Sequence, residues 1–243
     1  MKIDKICIIN LKSAKKRLSS CKTQLKKEKL EGEKCVEGVD GFKFVPYGKE
    51  LKTKKNPRYY GKLMRNSLTK KNLYKKTSRA LRVGEIGVYM SHINTIKKAF
   101  SNKRINHLLI FEDDMKLEKN FKKNLEKILK EMPSNNDILF LGISDINYKY
   151  AKFKSYNKLF NKPLGISKIK DMKGGIYGAH AYILNRKAMK TIIENAFPME
   201  YPYDVYLGRL ITINNLLNGL TLKKDIVKTY NYGSYTMHTK TLN

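Results

Sequence analysis

The stretch His107-Leu108-Leu109-Ile110-Phe111-Glu112-Asp113-Asp114 constrains the fold more than any other part of the chain. An apolar run of strand length, without polar alternation, suits a strand buried on both faces, as in a parallel sheet covered by helices. The three acids then fall at the strand's C-terminal edge, where open α/β sheets bind their ligands. Adjacent carboxylates repel one another unless a cation or hydrogen-bond donors neutralise them. Their oxygens are the hard ligands that Mg²⁺ or Mn²⁺ prefers, and such an ion usually holds substrate phosphates as well. The same residues also suit an acidic turn capping a following helix, because Asp is favoured at an N-cap and acids in a first turn.

The flanking segments read as alternating strands and helices. Lys5 to Leu11 forms a first buried strand, with Asn10 where it gives way to a loop. Ser13-Ala14-Lys15-Lys16-Arg17 opens a helix that buries Leu18, Cys21 and Leu25. Arg17 lies in its first turn or two, either holding a diphosphate bidentately or joining Lys15 and Lys16 on a solvated basic face. Cys35 to Gly41 reads as a strand ending in an Asp-Gly turn. Ile86, Tyr89, Ile93, Ile96 and Phe100 follow helical spacing, which places His92 at the margin of the buried stripe. Gly84 and Gly87, lacking a Cβ, allow another backbone or a ligand to come close.

Phe121, Leu125, Ile128, Leu129 and Met132 mark an amphipathic helix stopped by Pro133, followed by a strand over Asp137 to Gly142. Gly174 to Leu184 is a Gly-rich approach to a final strand that contains His180, and Asn185 is placed to cap a helix running to about Ala196. The last helix begins near Asp204, carries Tyr206, Leu210, Ile213 and Leu217 on one face, and ends at Gly219. Asp204 either caps that helix or supplies a carboxylate.

A length of 243 residues with 41% hydrophobic content suits a single α/β domain over 1–243, interrupted by irregular basic insertions at about 44–82 and 143–173. Lys and Arg number 51 against 21 Asp and Glu, a formal charge of +30. Such a charge draws phosphorylated substrates, anionic membrane or nucleic acid, although joint enrichment in Lys, Asn and Ile also follows from an AT-rich coding sequence. Basic residues interleaved with Tyr in the insertions support a second reading, a noncatalytic protein binding nucleic acid or anionic membrane. That reading leaves the acid-tipped strand unexplained. With no apolar run near the ~20 residues of a membrane span, the expected location is cytoplasmic, with peripheral contact at an inner-membrane surface. Cys7, Cys21 and Cys35 lack disulfide-framework or zinc spacing and read as packing or surface thiols.

Taken in order, these pieces resemble glycosyltransferase family 25, which includes bacterial lipooligosaccharide galactosyltransferases and collagen galactosyltransferases. The matching residues are Ile9-Asn10-Leu11 followed by Arg17, Gly38-Val39-Asp40-Gly41, Gly84-Glu85-Ile86-Gly87 running into Ser91-His92, Phe111-Glu112-Asp113-Asp114, Ala181-Tyr182-Ile183-Leu184, and Asp204. The resemblance implies a GT-A fold, a Rossmann-like, mixed but mainly parallel sheet flanked by helices. It also implies a UDP-sugar donor, with galactose favoured over glucose, a divalent Mn²⁺ or Mg²⁺, and inversion at the anomeric centre. The acceptor would be a glycan, lipooligosaccharide or glycoprotein, and nucleic acid is not an expected partner. Asn10, Leu11, Arg17, Gly84, Glu85, Ser91 and His92 would line the donor pocket. Glu112-x-Asp114 would take the D-x-D role, with Asp114 and Glu112 on the metal and Asp113 or Glu112 toward the ribose. Asp204 is the leading candidate for the base, ahead of Glu85, Asp145 and Asp171.

Overall fold

A computed structural model describes residues 1–30, 32–41, 81, 83–143, 154–155, 166–169 and 176–230. The first half comprises β1 (Lys5–Asn10), α1 (Lys15–Lys27), β2 (Glu33–Glu37), α2 (Val83–Phe100), β3 (His107–Glu112), β4 (Met115–Leu117) and α3 (Phe121–Glu131). Then come β5 (Ile138–Gly142), β6 (Lys154–Ser155), β7 (Ile166–Lys168), β8 (Ala181–Asn185), α4 (Arg186–Glu194), α5 (Tyr203–Thr212), β9 (Gly219–Leu222) and β10 (Val227–Thr229). Eight strands form one sheet in the order β2-β1-β3-β8-β5-β9-β7-β6, while β4 and β10 pair separately. Only β8 and β7 run against the others in the large sheet, so the expected mixed, mainly parallel α/β architecture is present.

The uninterrupted apolar runs exist because both sheet faces are covered. Successive residues of β3 enter opposite cores: Leu108 and Ile110 pack with α2, α4 and α5, whereas Leu109 and Phe111 pack with α1 and α3. Ile6 and Ile8 of β1 share the second core, and Cys7 and Ile9 the first. Cys7 and Cys21 are thus buried packing thiols. Parallel pairing of β1 with β3 sets Ile9 opposite Glu112, so both strands deliver their C-terminal ends to one edge. Antiparallel β8 begins at that edge, where His180 O accepts from Glu112 N at 2.9 Å.

Several expectations need correction. The strand over Gly174 to Leu184 is not the last, because β9 and β10 follow it. The final helix ends at Thr212, and the N–H groups of Leu216 and Leu217 turn back to Leu210 O. Gly219 does not cap that helix but opens β9, where a Cβ would come within 2.5 Å of Ile211 Cδ1. The acidic triplet leads into β4 rather than directly into a helix. Within the 143–173 insertion, β6 and β7 extend the sheet, and Ile143, Ile166 and Ile169 are buried. Of the 44–82 insertion only Leu81 is described, and it is buried. Asp145 and Asp171 lie outside the described residues. Asn185 caps α4 as expected, its Oδ1 accepting from Ala188 N at 2.7 Å.

Candidate active site

The ends of β1 and β3 and the start of α1 are bound together by Asp113. Its Oδ2 accepts from Asn10 Nδ2 at 2.7 Å, and its Oδ1 pairs with Arg17 Nη1 at 3.2 Å. Asn10 also donates to Ala14 O at 3.0 Å, which ties the β1–α1 loop to the strand. Leu11 completes this loop: its carbonyl accepts from Ala14 N, and its side chain lies against Gly38. Burial raises the Asp113 pKa, opposed by the Asn10 and Arg17 contacts.

Glu112 faces the other way. Its Oε1 lies 3.1 Å from His92 Nε2, and the side chain remains 30% exposed. Desolvation opposes its charge, yet the His92 contact holds its pKa below the ordinary value. His92 itself is fully buried, not at the edge of the stripe, because Tyr203 of α5 stacks on it with ring centroids 4.2 Å apart. That covering residue lies far along the chain, so helical periodicity alone did not reveal it.

Asp114 follows these two acids in the turn after β3, and its Oδ1 is buried without a hydrogen-bond partner. Desolvation, then the charges of Glu112 and Asp113, push its pKa up to about 7. An orphaned carboxylate oxygen beside two further acids fits a divalent cation, which replaces the missing donors and offsets the repulsion. Among the described residues no three His, Cys, Asp or Glu side chains form a complete metal cage. An ion held by one or two carboxylates and completed by substrate phosphate does not need one.

The Gly84–His92 segment divides by function. His92 reaches Glu112, whereas Ser91 turns away, accepting from Val39 N at 2.7 Å and donating to Gly87 O at 2.6 Å. A Cβ on Gly87 would lie 2.6 Å from Val39 O and 2.7 Å from Gly41 N, so glycine lets the 38–41 backbone lie directly on α2. Gly38 N closes this contact onto Asn10 O at 2.8 Å. The Gly-Val-Asp-Gly run thereby buttresses the β1 end. Gly84 and Glu85 stand half-buried in the first turn of α2.

Asp204 lies in the first turn of α5 and accepts two backbone N–H groups, Gly178 at 2.8 Å and Val205 at 2.8 Å. Burial raises its pKa against those bonds, and the charges of Glu112 and Glu85 raise it further. Asn10, Arg17, Glu112, Asp113, Asp114 and His92 thus form one linked constellation, with Asp204 and Glu85 within its electrostatic reach. Sequence reasoning assigned no role to Tyr182 or Tyr203, although Tyr182 Oη lies 2.7 Å from His92 Nδ1 and 2.9 Å from Tyr203 Oη. For Tyr182 the available signal was a phenol inside the apolar Ala181–Leu184 run, needing a partner for its hydroxyl; Tyr203, between Pro202 and Asp204, carried no such signal.

Residues 3–207 match the family model described as glycosyltransferase family 25 (LPS biosynthesis protein). Human procollagen galactosyltransferase 2 is 32% identical over 146 residues, 58% of this chain and 21% of that protein. A rat protein named probable inactive glycosyltransferase 25 family member 3 is 30% identical over 74 residues, 29% of this chain and 13% of that protein. The chain therefore aligns with about a fifth or less of the length of these relatives. Among solved structures, A197 from STIV gives a TM-score of 0.46 at 13% identity, covering 95% of this chain and 85% of that one. Mouse xyloside xylosyltransferase 1 gives 0.31 at 10% identity, covering 78% and 57% respectively. With the family model matched across most of its length, the chain belongs to glycosyltransferase family 25.

Proposed function

We propose that this chain is a metal-dependent, inverting glycosyltransferase that moves a hexose from a UDP-sugar, galactose in preference to glucose, to a glycan, lipooligosaccharide or glycoprotein acceptor. The observation that carries this reading is the buried, unpartnered Asp114 Oδ1 at a strand end shared with two other carboxylates. Asp114 and Glu112 are the residues for Mn²⁺ or Mg²⁺. When bound, such an ion offsets charge on the departing diphosphate. Arg17, beside the cluster, adds fixed positive charge toward that group. Asp204 takes the acceptor proton, with a raised pKa that strengthens it as a base.

No helix among the described residues is long and apolar enough to cross a membrane. We place the enzyme in the cytoplasm, with peripheral contact at an anionic membrane surface through its excess of basic residues.

The test is a melting series with UDP, Mn²⁺ and both together, followed by metal-dependent hydrolysis of UDP-galactose and UDP-glucose. A ligand at about 100 times its Kd stabilises by ~2.7 kcal/mol, a readily measured shift. No joint stabilisation and no turnover would remove the enzymatic reading. It would favour a noncatalytic role, in line with the relatives named as inactive.

A further inference from the structure

The β4–β10 ribbon has two ends. At one, Tyr230 N donates to Asp114 O at 2.7 Å; at the other, Glu118 N donates to Ile226 O at 3.0 Å. The second end borders a cleft of about 310 Å³ that opens to solvent. Lys119 and Asn124 line it at the start of α3, Lys127 from further along that helix, and Lys224 from the turn between β9 and β10. Asp114 and Glu118 flank β4, so the extended chain between them sets Glu118 roughly 13 Å from Asp114 at ~3.3 Å per residue. A metal ion binds oxygens at only about 2 Å, so the cleft is separate from the acidic cluster.

Two acids also line the cleft, and both are engaged. Glu118 Oε1 pairs with Lys228 Nζ at 3.2 Å, and Asp225 is buried, its Oδ2 accepting from Ile143 N at 3.3 Å. Among the described residues, the ammonium groups of Lys119, Lys127 and Lys224 have no ion-pair or hydrogen-bond partner, unlike those of Lys187, Lys190 and Lys228. Asn124 donates one N–H to Lys119 O at 3.4 Å and has a second. The start of α3 adds partial positive charge, because its first turn holds no acidic residue and Asn120 makes no side-chain cap, although Glu28 Oε2 receives the Lys122 N–H at 2.9 Å. A lysine-rich composition supplies exposed cations over the whole surface. Here three of them, with their acidic neighbours already engaged, line one concavity.

We propose that this cleft binds a phosphate group carried by the acceptor glycan. A phosphate monoester has roughly −1.5 to −2 charge at pH 7 and several strong acceptor oxygens, which three ammonium groups and the Asn124 amide match. A concavity of this volume takes one compact group, whereas a bilayer meets outward-facing surface, so the observations favour phosphate on a glycan over a lipid headgroup. The separation from Asp114 leaves room for sugar units between that phosphate and the reacting hydroxyl. The link to an acceptor rests on the glycosyltransferase reading above, while the phosphate contact is independent of it.

The experiment titrates glucose 6-phosphate, with glucose as its uncharged counterpart, into the full chain in metal-free buffer and follows backbone amides by ¹H–¹⁵N NMR. The parent is compared with a cleft variant, Lys119→Gln, Lys127→Gln and Lys224→Gln together. A control of equal charge carries Lys22→Gln, Lys26→Gln and Lys27→Gln, all exposed on α1. Saturable shifts are expected at Lys119, Asn124 and Lys224 with glucose 6-phosphate and not with glucose. Affinity should fall ~10-fold or more in the cleft variant, as loss of charge-assisted hydrogen bonds implies, and stay near the parent's in the control. Equal losses in both variants would make the attraction diffuse and overturn the proposal, as would shifts centred on Arg17 and Asp113. Vesicles of phosphatidylglycerol and phosphatidylcholine form the second arm, in which the two variants should behave alike. Loss of vesicle binding in the cleft variant alone, with no glucose 6-phosphate shifts in the parent, would make the occupant a headgroup and sink the glycan assignment. UDP with Mn²⁺ is measured alongside, and the cleft variant should bind it as the parent does. If the parent binds no UDP, the function proposed above fails, and the glucose 6-phosphate titration still decides the cleft.

Discussion

Asn10 Nδ2 donates to Asp113 Oδ2 at 2.7 Å across a sequence separation of 103 residues, joining the end of β1 to the end of β3. With Arg17 on the other oxygen, both carboxylate oxygens of Asp113 are engaged within the protein. Asn10→Ala removes the donor to Asp113 and the donor to Ala14 O together. Leaving buried acceptors unpaired costs roughly 1–3 kcal/mol. Urea denaturation should show a lower midpoint, and UDP affinity should fall with it. A midpoint equal to the parent's would mean that this link does not hold the strand ends together.

Asp114→Asn should trade function for stability. The Asp114 carboxyl has a pKa raised from 3.8 to about 7, so the folded state binds its proton more tightly than the unfolded state does. Below about pH 4 it is protonated in both states. As pH rises from there to about 7 the unfolded carboxyl ionises first, and folded-state stability is lost. The neutral amide escapes that loss. In metal-free buffer the variant's melting temperature should therefore rise relative to the parent's between pH 4 and 8, while Mn²⁺-dependent UDP binding disappears. A constant difference across that range, with UDP binding intact, would falsify the assignment of Asp114.

The apolar runs of β1, β3 and β5 were legible because burial on both sheet faces leaves no polar alternation to mislead. The 3–4 spacings of α2 and α3 were legible for the same reason, each presenting a stripe to a core. What escaped was short or defined by distant partners. β4 and β10 have three residues each and are strands by virtue of pairing with one another. β7 reads as a polar, basic segment, yet it pairs with β9. In the site, the residue types at the strand end were readable, but their division of labour was not. Nothing local to Asp113 announces that Asn10 and Arg17 occupy it, and nothing local to Ser91 announces its bond to Val39.

Arg17→Ala tests whether the guanidinium serves phosphate as well as Asp113. The two side chains are only 13% and 12% exposed, so the pair is well shielded. UDP affinity should fall more than uridine affinity, because a guanidinium acts on the diphosphate rather than the base. Isothermal titration with both ligands checks this. Equal losses would confine Arg17 to holding Asp113.

Gly87→Ala should be costly although it adds only a methyl group. The new Cβ would meet backbone atoms of Val39 and Gly41 at 2.6 and 2.7 Å, and backbone cannot rotate away as a side chain can. Overpacking of this kind typically costs about 1–3 kcal/mol. Because the displaced 38–41 segment also meets Asn10 through Gly38, UDP binding should weaken in parallel. Ser91→Ala, which removes one hydroxyl from the same contact, should show a smaller version of both effects. Parent-like unfolding of Gly87→Ala would show that the segment shifts without consequence.

Asp204→Asn is the most informative change, since two roles compete at this residue. As a base, Asp204 needs a carboxylate oxygen free to receive the acceptor's proton. As a clasp, it holds Gly178 N and Val205 N, one on each oxygen. An amide keeps one acceptor and sets an NH₂ against the other donor, so a stability loss of about 1–3 kcal/mol is expected in either case. Melting temperature alone therefore cannot separate the roles, and the decision falls to turnover measured well below the unfolding transition. If Asp204 is the base, kcat should drop by at least ~10²-fold while UDP-sugar affinity stays near the parent's. In the parent, the acid limb of kcat/KM should also lie above the ordinary carboxylate range, because burial and the charges of Glu112 and Glu85 raise this pKa. Turnover within a few-fold of the parent, with only the stability loss, would leave Asp204 as the clasp between the Gly178 approach and α5. The base would then be sought at Glu85.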